Sequence, residues 1–273
     1  MSENSSSKEV VLKRTPLHKL AGKFQKPKEP REKRVYNWRM LILFPAWVAV
    51  AYVASNLIIA ALLVIMDILH RPVDSFIRPS ILQTVIATLI YALTIGIVIA
   101  GPYVFKRKLT TDITALGLDR LPSWTDIALA PLTFIVYTVL AGVTLSIVTS
   151  LIPVFPVNQT QDVGFTFGSQ TDNVLAFLTL VVLAPLAEET LFRGYLYGKL
   201  NKYVPAVVSA LITSLLFAVA HFQWNVGIDV FILSLFLCGL RSLTGSIWAG
   251  ILVHMIKNGL AYYLLFISPI LGG

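Results

Sequence analysis

Long apolar runs joined by short polar connections constrain this chain more than any other feature. A helix needs about 20 mostly apolar residues to cross a ~30 Å hydrocarbon core. Met40 to Met66, Ile81 to Phe105 and Ile127 to Ile152 each supply such a run. A fourth begins near Asn173, and Val204 to Phe222, Ile228 to Leu240 and Ser246 to Ile267 follow, the sixth of the series being short. The expected fold is all-α: a polytopic membrane helical bundle of about seven spans (six to eight). Composition agrees. Of 273 residues, 56% are hydrophobic and 13% charged, with a mean hydropathy of +0.76, whereas soluble domains are about half apolar and a quarter charged.

The formal charge of +8 is concentrated in residues 1–39, which repeat Lys, Arg and Pro and have few large apolar side chains. Such a tail is expected to be disordered or to lie against anionic lipid, and it shows neither the apolar stretch nor the cleavage site of a secretory signal. Nucleic-acid binding is the weaker explanation of its charge, and no nucleic-acid partner is expected. Lys106, Arg107, Lys108, Arg120, Lys199 and Lys202 fall in alternate connections, while the segments after the third and fifth spans carry neither Lys nor Arg. That alternation implies a cytoplasmic N-terminus and, with seven spans, an external C-terminus; Arg71 and Arg78 run against it. The expected location is a prokaryotic plasma membrane. Cys238 is the only cysteine, so an intrachain disulfide and a Cys-based zinc site are excluded.

Three regions result: the tail 1–39, N-terminal spans 40–172 and a candidate catalytic core 173–273 in the last four spans. The first three spans carry little obvious chemistry. Asn56, Asp67 and Gln83 need no special explanation, and Ser123 with Asp126 three residues on reads as a helix start. No internal repeat is visible, which weakens a transporter built from two related halves.

The segment 184–200, APLAEETLFRGYLYGKL, interrupts this pattern with Glu188, Glu189 and Arg193. A charge at the centre of a membrane helix costs roughly 2.5–3.5 kcal/mol on insertion scales, so these groups must face protein or a wet cavity. Glu189 and Arg193 stand one helical turn apart and can pair. Glu188 projects about 100° away, which leaves one carboxylate for structure and one for chemistry. Further on, Phe217 precedes His221 by four residues, and His254 and Asn258 share one face of the last span. His221 alone reads as an interfacial histidine; His254 with Asn258 is harder to explain that way. Lys257 can snorkel or pair with a carboxylate.

In order, EETLFR, FAVAH and HMIKN resemble the EExxxR, FxxxH and HxxxN motifs of the CPBP (Abi) intramembrane proteases, which include the CAAX prenyl endopeptidases. The resemblance covers about residues 173–260. It implies that Glu188 activates a water, His221 orients or deprotonates it, and His254 and Asn258 stabilise the oxyanion, with Glu189 and Arg193 supporting the motif. The implied partner is a peptide or protein substrate at the membrane, lipidated in one branch of the family. Peptide hydrolysis needs an activated water and a donor for developing negative charge.

The cofactor question stays open. Glu188, His221 and His254 offer a two-His, one-carboxylate set that suits zinc, but HExxH is absent, and metal-free catalysis by a glutamate is favoured. A non-catalytic scaffold or bacteriocin-immunity protein is the alternative function. One feature conflicts with the protease reading: if the fifth span starts at Val204, His221 falls near the external face, away from the middle of the fourth helix.

Overall fold

The computed structural model describes residues 36–70, 73, 77–105, 110–155 and 169–268. The described part of the chain is all-α. Most of the basic tail, Arg71, and Lys106, Arg107 and Lys108 lie outside the described residues, as does most of the connection after the third span. Along the chain run α1 (Met40–Ile68), α2 (Pro79–Phe105), the one-turn α3 (Ile113–Leu116) and α4 (Trp124–Leu151). They are followed by α5 (Gln170–Tyr203), α6 (Ala206–Val219), α7 (Trp224–Thr244) and α8 (Trp248–Tyr262), which continues through a π-helical turn to Ile267.

Six of these helices are long and apolar enough to cross a membrane: α1, α2, α4, α5, α7 and α8. The seventh expected span is the exception. Over Val204 to Phe222 only α6 forms, with 14 residues or about 21 Å of rise. The short element is therefore the fifth and not the sixth, because α7 reaches 21 residues by beginning at Trp224, before the apolar run that marks it in the sequence. Its early Asp229 is compensated by Lys257 of α8, 3.6 Å away, which gives Lys257 the pairing option of its two.

Helix ends follow local chemistry. Ser123 and Asp126 form a reciprocal capping box at the start of α4, and Arg120 adds an ion pair to Asp126 at 2.5 Å. Ser169 and Asp172 do the same for α5, and Ser80 of α2 donates to the Asp172 carboxylate. At one end of the bundle the Asn37 N–H donates to the Tyr203 carbonyl; at the other the Tyr262 hydroxyl donates to the Asn173 carbonyl. The first helix thus begins, and the last ends, at opposite ends of the bundle.

Two buried clusters flank α5. Phe44 and Ala51 of α1, Val98 of α2 and Leu116 of α3 pack on Leu191, Tyr195 and Leu200. Tyr137 and Ala141 of α4 pack on Leu233 and Leu237 of α7 and on Val253 of α8. The α3 turn fits against α5 because Gly194 and Gly198 leave room. A β-carbon at Gly194 would lie 3.1 Å from the Leu116 carbonyl oxygen, and one at Gly198 would lie 3.3 Å from that of Ala115. Small residues are what allow such close approach between helices in a membrane. Gly194→Ala is therefore expected to destabilise the protein by about 1–3 kcal/mol, since backbone cannot yield as a flexible side chain can. Thermal unfolding in detergent micelles measures it.

Candidate active site

The α5 helix is not a uniform α-helix. It passes through π-helical stretches at Leu178–Leu183 and Thr190–Tyr197, with the α-helical turn Ala184–Glu189 between them. Such π segments shift which side chains face a given neighbour and occur often at functional sites. Pro185 has no N–H, so in a π register the Leu180 carbonyl loses its donor. The Asn258 amide fills that role from α8, with Nδ2 at 2.9 Å from the Leu180 oxygen.

The two adjacent glutamates have different surroundings. Glu189 is fully buried, and its Oε1 accepts from Arg193 Nη1 at 2.7 Å and lies 3.0 Å from His254 Nδ1. Because a carboxylate only accepts, His254 Nδ1 carries the proton and Nε2 is left facing Glu188 Oε2, 3.8 Å away. Gly250 makes this seat, since a β-carbon there would lie 3.1 Å from Glu189 Oε2. The Glu188 side chain is 18% exposed and lines a cavity of about 340 Å³.

The His221 imidazole and the Tyr91 hydroxyl share that cavity, and the hydroxyl donates to Glu188 Oε1 at 2.7 Å. His221 Nδ1 donates to the Phe217 carbonyl at 2.8 Å, which leaves Nε2 as an acceptor in the neutral ring. Phe217 organises the group. Its ring takes the Arg193 guanidinium at 4.4 Å and packs edge-on against His221 at 4.9 Å and His254 at 5.9 Å.

The depth conflict resolves through the turn between α5 and α6. Tyr203 ends one helix and Ala206 begins the next. Glu188 precedes that turn by as many residues as His221 follows it, so an antiparallel pair brings them level. A short α6 is what makes this possible; His221 sits just past its end.

The structure therefore gathers Glu188, Glu189, Arg193, His221 and His254 around Phe217. Asn258 is directed to the Leu180 carbonyl. Tyr91 was not legible as a site residue, because a tyrosine in an apolar run is unremarkable and its partner lies 97 positions away. The site is accordingly not confined to the last four helices. Tyr91 comes from α2, and Val48 and Tyr52 of α1 wall the cavity. Among the described residues no three His, Cys, Asp or Glu side chains are grouped as metal ligands. Glu188, His221 and His254 do not form a ready-made ligand set, and the metalloprotease expectation gains no support.

Fold and site together define a multi-pass integral membrane protein with a buried ionic cluster beside a cavity inside its helical bundle. A family model described as type II CAAX prenyl endopeptidase Rce1-like matches residues 170–260. The match supports membership in the broader CAAX/Abi protease superfamily, with protease-like function at the family level. An Escherichia coli protein described as "Uncharacterized 24.3 kDa protein" is 38% identical over 96 residues, covering 33% of this chain and 44% of that protein. No solved structure matches the chain.

Proposed function

We propose that this protein is an intramembrane endopeptidase of the CPBP type, which hydrolyses a peptide bond of a membrane-associated peptide or protein. The observation that carries the reading is the division between neighbouring carboxylates: Glu189 sealed against Arg193 and His254, Glu188 open to a cavity shared with His221 and Tyr91.

Tyr91 holds Glu188 Oε1 and leaves Oε2 to take a proton from a water that His221 Nε2 also orients. The resulting hydroxide attacks the scissile carbonyl carbon. Negative charge develops on the carbonyl oxygen, where His254 Nε2, as imidazolium, donates. Asn258, one turn further along α8, offers its second amide N–H. The proton held by Glu188 then passes to the departing amine as the C–N bond breaks. With His254 charged, two carboxylates face two cations, a balance that a low-dielectric interior requires.

The test is cleavage by purified protein in vesicles of membrane-anchored peptide libraries, with and without a lipid group, read as new N-termini by mass spectrometry. Cleavage that is unchanged by chelators and lost with Glu188 fits the metal-free mechanism; loss on chelation with recovery on adding zinc rejects it. Tyr91→Phe removes a hydrogen bond to a charged group, a contact worth about 1.5–3 kcal/mol. It is expected to slow turnover by roughly tenfold or more at unchanged expression. Wild-type turnover in that variant would remove Tyr91 from the mechanism.

A further inference from the structure

A second, larger cavity of about 780 Å³ lies between the far half of α4 and the tip of the α6–α7 hairpin. Its walls are almost wholly apolar, including Val148, Val219 and Ile228, with Thr144 and Gln223 the polar side chains in the lining. Phe222 belongs to both cavities, so its ring stands between this groove and the compartment holding Glu188 and His221. Phe222 also has a φ of +53°, a conformation that a bulky residue adopts only at a steric cost, and its side chain is 84% exposed.

The groove exists because α6 stops early. Its 14 residues rise about 21 Å and fall ~9 Å short of a ~30 Å core, while α4 runs for 28 residues. A helix about 10 Å across filling that shortfall occupies about 700 Å³, close to the size of the groove. The occupant must also satisfy its own backbone, since lipid offers no hydrogen-bond partners and the groove offers few. A helical segment does so; an extended one does not.

We infer that this groove receives the end of an apolar helical segment of the peptide substrate, stacked beyond the tip of α6, and that Phe222 is the gate through which the chain passes to Glu188. This rests on the peptidase reading for its direction of travel, but docking is measurable without cleavage. The ring blocks the passage at rest. Displacing it admits the unwound end of the segment beside His221.

The experiment uses the full chain bearing Glu188→Gln in phosphatidylcholine vesicles, with a photoreactive residue at Ile228 in the groove or at Val48 in the Glu188 cavity. The probes are a biotinylated leucine–alanine helical peptide and a biotinylated phospholipid. The peptide should be captured at position 228, and Val219→Trp, which fills the groove from an exposed position, should cut that capture severalfold. Capture at position 48 should be low and should rise severalfold with Phe222→Ala. Capture of phospholipid but not peptide at position 228, or peptide capture indifferent to Val219→Trp, overturns the docking site. Capture at position 48 indifferent to Phe222→Ala overturns the gate. Peptide docking in the absence of any cleavage by the native protein would uphold this inference and reject the hydrolytic one.

Discussion

Glu188→Gln is expected to reduce cleavage by about 10²–10⁴, the contribution of a positioned general base, while the protein inserts and unfolds as the native chain does. The substitution is nearly isosteric. The Tyr91 hydroxyl at 2.7 Å from Oε1 keeps an acceptor in the amide oxygen, and the partly exposed side chain carries no ion pair comparable to that of Glu189. Only the ability to accept a proton is lost. Cleavage is read in reconstituted vesicles, with thermal unfolding on the same preparation. A scaffold or immunity protein would behave differently, keeping its partner binding in the variant. Undiminished cleavage by correctly folded Glu188→Gln would sink the mechanism.

Arg193→Met is expected to act on the fold itself. It leaves the fully buried Glu189 carboxylate with His254 as its remaining printed partner, and removes the guanidinium lying 4.4 Å from the Phe217 ring. Breaking a buried ion pair from one side costs about 3–5 kcal/mol, because a desolvated charge is stranded. Thermal unfolding in detergent and the yield of folded protein should both fall sharply. Arg193→Lys should restore little, since an ammonium lacks the flat, weakly hydrated fork that pairs with Glu189 and stacks on Phe217. Removing both charges with Glu189→Leu and Arg193→Met should recover much of the stability lost in the single variant. The double variant should still be poorly active, as His254 then loses the carboxylate that fixes its tautomer. A single Arg193→Met protein with native thermal stability would show that the pair is dispensable.

Several features could be read without coordinates because their causes are local. A run of apolar residues becomes a membrane helix wherever it lies, and Ser123 with Asp126 caps a helix through contacts three residues apart. The relation of Glu189 to Arg193 is likewise set by one helical turn. Other features escaped because they depend on partners remote in sequence. The extent of α7 was hidden by Asp229, whose charge reads as a span boundary until Lys257 is seen beside it. The brevity of α6 was hidden in turn, because its apolar run carries on into the hairpin tip at His221 and Phe222.

What the sequence determined by itself is that four ionisable groups and an asparagine occupy apolar helices, at a cost that obliges them to face one another or water. Hydrophobic periodicity and the price of a charge in lipid are properties of each segment and need no fold. Tertiary packing alone decided which glutamate is sealed and which meets the cavity, that Tyr91 of α2 holds the latter, and that α6 is short enough to bring His221 level with it. Those outcomes follow from where helix backbones can approach, at Gly194 and Gly250 above all, and a close approach is a relation between segments that no single one of them encodes.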